Sequence, residues 1–127
     1  MFKLPKEFQA GKKGGQIYSN PVVLINVASG SASELFASAL QEQNCAQVIG
    51  TQSCGCVLGV LNYIQLKGGD DLAISGIGFV TSKGRTLEGN GVTPDKPTIA
   101  RLIDLQSQRD AALEEAEKYF NNLKGNK

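Results

Sequence analysis

Apolar residues along this chain fall into blocks with two different periods. Val22, Val23, Leu24 and Ile25 form an unalternating run that stops at Asn26, the pattern of a central strand buried on both faces. From Ala32 onward the apolar positions are Leu35, Phe36, Ala39 and Leu40, which share one face of a helix. That spacing predicts a helix from Ser31 to about Gln43. Gln47 to Gly50 then reads as a second, short strand. Strand, helix and strand in this order predict a βαβ unit with parallel strands and a right-handed crossover.

Further along, Cys56 to Leu66 carries Val57, Leu58, Val60, Leu61, Tyr63, Ile64 and Leu66, an extended segment. Lys67-Gly68-Gly69-Asp70-Asp71 is a turn. Leu72 to Ser75 returns and Gly76 to Thr81 extends it, giving a hairpin or meander. Gly76 and Gly78 mark a bulge or a close backbone approach. Ser82 to Pro97 is rich in Gly and Pro and reads as a loop. Leu102, Leu105, Arg109, Ala112, Leu113, Ala116, Phe120 and Leu123 predict one carboxyl-terminal helix whose other face, rich in Glu and Lys, is solvated. Residues 1–20, with Gly11, Gly14 and Gly15, read as a flexible segment, leaving 21–127 as one α/β unit.

The chemistry gathers at the first turn. Ala28-Ser29-Gly30-Ser31-Ala32 joins the first strand to its helix. The first N–H groups of a helix have no internal partner, and together with the helix dipole they stabilise an oxyanion. A nucleophilic Ser31 flanked by Gly30 and Ala32 as oxyanion or turn residues fits that position. Ser31-Ala32-Ser33-Glu34 also reads as a capping box, in which Ser31 only caps the helix. Thr51 to Gly55 is a turn at the carboxyl end of the second strand. In a parallel sheet this is the edge where chemistry collects, so the topology alone brings Ser31 near Cys54 and Cys56.

Composition narrows the chemistry. The 127 residues carry a formal net charge of +1, with no basic stripe and no Trp, so no nucleic-acid footprint is present. No apolar run approaches the roughly 18 residues of a membrane span, and the first residues lack the apolar stretch of a signal peptide. The absence of His removes Ser-His and Cys-His catalysis from within the chain, and with three cysteines leaves no metal site; no cofactor is expected. Cys54 and Cys56 flank Gly55. A disulfide between them closes a small ring, and the reading adopted for all three cysteines is small buried or turn thiols. Arg85 is a candidate contact for a substrate carboxylate or, alternatively, an ion-pair partner of Asp95 or Glu88 that pins its loop. Helix phase puts Glu42 on the exposed polar face. Lys67, Lys83, Asp70 and Asp71 lie in turns.

Ser31-Ala32-Ser33-Glu34-Leu35-Phe36-Ala37-Ser38-Ala39-Leu40-Gln41-Glu42 resembles the nucleophile segment of the carboxyl-terminal processing (tail-specific) serine peptidases of the S41 type. Ala46-Gln47-Val48-Ile49-Gly50, Gly84-Arg85-Thr86-Leu87-Glu88-Gly89 and Gly91-Val92-Thr93-Pro94-Asp95 resemble three further segments of that family in the same order. The resemblance runs over roughly 20–116. It implies a partial Clp protease/crotonase-like domain: a βαβ core, a hairpin region and a carboxyl-terminal helix, the carboxyl half of a protease domain. It implies Ser31 as nucleophile, a peptide or protein substrate and an extracytoplasmic location.

The resemblance also exposes a departure. The family's general base is a lysine twenty-five residues after the nucleophile, and that position here is Cys56; the glutamine that orients the lysine falls at Val60. A thiol is a poor substitute for a desolvated amine. The expectation is therefore a serine peptidase that is inactive or incomplete as this chain, its base coming from an upstream histidine, as in tricorn-like relatives, or from an atypical group. The alternative is a non-catalytic peptide-binding or structural domain on the same fold. A truncated sheet leaves an open edge, so a homo-oligomer is expected.

Overall fold

The computed structural model describes residues 20–125; the expected flexible segment over 1–20 lies, apart from Asn20, outside them. β1 (Val22–Ile25), α1 (Ala32–Glu42) and β2 (Gln47–Gly50) follow in order. β1 and β2 pair in parallel with Val22 beside Gln47 and Ile25 beside Gly50, so the βαβ unit is present. β3 (Gly59–Gln65) and β4 (Asp71–Ile77) form a separate antiparallel sheet. Its pairing shifts register between Gly59 and Val60, opposite Gly76, and again between Val60 and Asn62, so one irregularity falls at a glycine marked in the sequence.

Three expectations are corrected. Among the described residues β1 pairs with β2 alone, in the order β1-β2-β5, so the strand flanked on both sides is β2; Leu24 is exposed while Val48 and Ile49 of β2 are fully buried. The third strand, β5 (Lys96–Pro97), lies inside the stretch read as loop and pairs in parallel with Ile49 and Gly50. A strand of two residues containing Pro has too little pattern to read. The single carboxyl-terminal helix is two, α2 (Leu102–Gln106) and α3 (Ala111–Gly125). Between them Gln108 takes φ +53°, and the Asp110 carboxylate accepts the N–H groups of Ala112 and Leu113, both at 3.0 Å. That is a new N-cap, and it starts a new helix where the apolar spacing runs on.

Ile25, Ala37, Val48, Val57, Leu87 and Val92 form the buried cluster, with Val23, Leu35 and Phe79 packed on it. It sits beneath the carboxyl ends of β1 and β2 and holds the turn after β1 against the loop after β2. α3 lies against both strands, with Ala116 buried. No helix among the described residues is long and apolar enough to cross a membrane.

Candidate functional site

Two loops meet at the carboxyl edge of the parallel sheet: 26–31 after β1 and 51–58 after β2. The Ser31 N–H donates to the Cys56 carbonyl at 2.8 Å, and the Cys54 N–H donates to the Ser29 carbonyl at 2.9 Å. A Cβ placed on Gly30 would lie 3.5 Å from the Cys54 Cβ and 3.7 Å from the Cys56 Cβ. The structure thus places Gly30, Ser31 and Cys56 together, and Ala32 opens α1 beside them.

Ser31 holds φ +57° and ψ −126°. An L-residue there costs on the order of 1–3 kcal/mol and persists only where the surroundings impose it. It is the conformation of a sharp strand-to-helix turn that lifts a side chain out of the backbone. The three serines of this turn differ in the use of their hydroxyls. Ser29 Oγ accepts the Asn26 N–H at 3.1 Å. Ser33 Oγ donates to the Gly30 carbonyl at 2.7 Å. Ser31 and Glu34 form a capping box, the Ser31 side chain facing the Glu34 N–H and the Glu34 carboxylate accepting the Ser31 N–H, while the Glu34 N–H makes its 3.0 Å hydrogen bond to the Ser31 carbonyl. Ser31 is exposed, and outside that capping box its hydroxyl has no partner among the described residues. Among the described residues the N–H groups of Gly30 and Ala32 take no part in the turn and loop hydrogen bonds.

Glu34 is fully buried and does more than close a capping box. Its Oε1 accepts the Ser53 hydroxyl at 2.5 Å and the Gly55 N–H at 2.7 Å. Its Oε2 accepts the N–H groups of Cys56 at 2.9 Å and Ser31 at 3.2 Å. Burial pushes this carboxyl up, but the bonds from Ser53, Gly55, Cys56 and Ser31 outweigh it and hold the pKa below its ordinary 4.5. One buried anion therefore ties the serine turn to the 53–56 loop. The sequence signal for it was the fourth position of Ser-x-x-Glu, which local capping accounts for without any long-range partner.

The 84–95 loop clamps the same region from the other side. Ser53 Oγ accepts the Val92 N–H at 2.6 Å, Gly55 O accepts the Gly89 N–H at 2.8 Å, and Glu88 accepts the N–H groups of Val57 and Leu58 at 2.8 and 2.9 Å. Two glycines are required by the fit: Gly55 at φ +72°, whose Cβ would fall 2.9 Å from the Asn90 N, and Gly91 at φ +68°, whose Cβ would fall 2.5 Å from the Ser53 O.

Other sequence readings change. Cys54 and Cys56 are joined in a disulfide and exposed, so they are neither buried nor free thiols; Cys45 is exposed and free. The sulfur at position 56 thus has no proton to exchange in this state. Glu42 is buried rather than solvent-facing, because helix phase takes no account of the 81–85 loop that folds over it. Its carboxylate accepts the Ser82 hydroxyl at 2.7 Å, the Lys83 N–H at 3.2 Å and Arg85 Nε at 2.8 Å. Burial raises its pKa, and hydrogen bonds from Thr81, Ser82, Arg85 and Lys83 bring it down to about 2. Arg85 therefore pins its loop to Glu42 and Gln41, not to Asp95 or Glu88; Asp95 instead accepts the Val48 N–H and the Gln41 amide, both at 2.8 Å. Lys67 and Lys83 lie in exposed turns. A cleft of about 390 Å³ opens at the sheet's carboxyl edge, lined by Asn26, Thr51, Thr98 and Arg109 among others, and Ser31 does not line it.

The family model for peptidase family S41 matches residues 5–98. A carboxy-terminal-processing protease of Bartonella bacilliformis is 38% identical over 96 residues, 76% of this chain and 22% of that protein. A CtpA-like serine protease of Staphylococcus saprophyticus is 29% identical over 106 residues, 80% of this chain and 21% of that protein. The chain thus spans about a fifth of the length of these curated relatives. Among solved structures, the tricorn protease superposes with a TM-score of 0.73 over 80% of this chain and 10% of its own, at 24% identity, which bears on fold alone. The photosystem II D1 C-terminal processing protease superposes with a TM-score of 0.55 over 63% of this chain and 20% of its own, at 29% identity. The turn that presents Ser31, the parallel sheet beneath it and a family match over most of the chain agree: this chain belongs to peptidase family S41, with part of that family's Clp protease/crotonase-like fold.

Proposed function

We propose that Ser31 is the nucleophile of a serine-type peptide hydrolase, that 21–127 is the carboxyl-terminal part of its peptidase domain, and that the chain alone does not turn over peptide substrates. Family membership supports serine peptidase chemistry at family level. The observation that carries the finer reading is Ser31 itself: a strained strand-to-helix turn exposes this residue, and beyond the capping box with Glu34 its hydroxyl has no partner among the described residues. In such a site the hydroxyl attacks the scissile carbonyl, the N–H of Ala32 and a second donor stabilise the oxyanion, and a base takes the serine proton. Gly30 contributes compactness to the turn. Arg85, committed to Glu42, contributes rigidity rather than substrate contact. The sulfur at position 56 is locked to Cys54, and a general base is worth typically 10²- to 10⁴-fold. The full protein would act on peptides or proteins. An assembly of several copies would cover the exposed sheet edge.

A fluorophosphonate probe tests this. The parent chain is expected to label slowly or not at all. Cys56→Lys restores the family's residue type and is expected to give a small, measurable gain, mapped to Ser31 by peptide mass and abolished in Cys56→Lys/Ser31→Ala. Because Cys56→Lys also breaks the disulfide, Cys56→Ser is the control and should show no gain. Rapid labelling of the parent at Ser31 would overturn the inactivity; no gain in a folded Cys56→Lys protein would overturn the placement of position 56 as the base position for Ser31.

A further inference from the structure

We propose that Cys54-Gly55-Cys56 is a thiol–disulfide exchange site, an exposed redox pair that a dithiol reduces and a disulfide re-forms while the surrounding fold stays intact. Its warrant is separate from the peptidase reading. Exchange requires that an attacking thiolate reach a sulfur, and both cysteines are exposed. It also requires that the fold survive loss of the bond. The two residues are two apart in sequence with Cα atoms 5.3 Å apart, so the closed loop is minimal and the bond removes little chain entropy from the unfolded state.

Hydrogen bonds independent of the sulfurs hold the loop instead. Cys54 N–H binds Ser29 O, Gly55 and Cys56 N–H bind the Glu34 carboxylate, Gly55 O accepts from Gly89 and Cys56 O accepts from Ser31. Gly55 supplies the positive φ between the two bridged cysteines. Five anchors on three residues keep the two Cα atoms at bridging distance after reduction. The pair is therefore preorganised to close again. Reversibility rests on access and on this clamped backbone, since the Glu34 carboxylate behind the loop opposes any thiolate stabilisation from the α1 N-terminus.

The step is an ordinary two-electron exchange. A thiolate of the dithiol attacks one sulfur of the pair. A mixed disulfide forms as the Cys54–Cys56 bond breaks, and the departing sulfur leaves as thiolate and takes a proton. The second thiolate of the reductant then attacks its own partner sulfur in the mixed disulfide, releasing the other cysteine, which is protonated in turn. The dithiol ends as a disulfide and the cysteines as two thiols.

The test counts thiols by intact mass on the native, full chain. Air-equilibrated protein treated with iodoacetamide is expected to gain one adduct, at the exposed Cys45. After dithiothreitol under native conditions it should gain three, with the melting temperature lowered by no more than a few degrees. Cys45→Ser should go from none to two. Oxidised glutathione added before alkylation should restore the low count. Three adducts without reductant, one adduct with reductant until denaturant is added, or loss of the folded state on reduction would each overturn the proposal. None of these readouts depends on Ser31, so failure here leaves the peptidase reading standing, and the reverse holds.

Discussion

Ser31 carries the largest conflict between local preference and tertiary demand. Its φ of +57° is tolerable for glycine and costly for any other residue. Ser31→Gly should therefore be more stable than Ser31→Ala by about 1 kcal/mol, the relieved strain exceeding the extra unfolded-chain entropy of glycine. Urea titration of both variants checks this; equal midpoints would show that the turn is unstrained. Glu42 is the opposite case, a buried carboxylate whose partners are all in place. Its folded pKa is depressed from 4.5 to about 2, so the stability it contributes is fully present above pH 4.5 and is lost as pH falls toward 2. Glu42→Gln should cost about 2 kcal/mol at neutral pH, the loss of hydrogen bonds to a charged group, and should flatten the acid limb between those limits. Melting temperatures measured from neutral pH downward test both parts; a variant that loses stability in acid as steeply as the parent would show that Glu42 is not the titrating group.

At the scale of elements, the sequence was most legible where burial and local pattern agree. Gln47–Gly50 occupies the strand read for it, and the hairpin turns within the Lys67–Asp71 stretch read as a turn, with Asp71 already the first residue of β4. Legibility failed where a long-range partner overrode a local signal. Val22–Ile25 is apolar throughout, yet among the described residues it pairs on one side only, and β2 takes the central place between β1 and β5. Glu34 reads as a cap from its own helix, and only the 53–56 loop, about twenty residues on, makes it a tether. The break between α2 and α3 was hidden by the continuing apolar spacing, although Asp110 before Ala111 and Ala112 is a capping signal. That residue yields a test: Asp110→Ala removes the acceptor for the Ala112 and Leu113 N–H groups and should destabilise the chain by about 1 kcal/mol, whereas Asp110→Asn should recover most of it. Chemical denaturation followed by helical circular dichroism checks this; an unchanged midpoint in Asp110→Ala would mean that tertiary contacts of α3 alone set its start.

At the scale of the molecule, the described residues leave apolar surface that they do not cover among themselves. The β3–β4 hairpin is a two-stranded sheet, an arrangement of marginal stability in water by itself. Val60, Tyr63, Ile64, Leu66, Leu72 and Ile74 are all exposed on it, Tyr63 at 70%. Among the described residues β1 has no partner on its second edge, and Leu24 is exposed there. Clustered apolar exposure of this kind marks an interaction surface, and an open strand edge is a template for pairing. The expected outcome is reversible self-association of the chain, with sedimentation velocity showing a larger species whose fraction rises with concentration. The two surfaces are separable by substitution. Ile64 and Leu72 face each other across the hairpin and are exposed, so Ile64→Lys should reduce association with little change in melting temperature if the hairpin is the contact. Leu24→Lys should do so instead if copies pair through β1. A parent chain that stays monomeric at the highest accessible concentration would overturn the prediction outright. If the parent associates and neither lysine weakens it, both surfaces would be excluded as the contact, and the exposed Phe36 face of α1 would be the next to substitute.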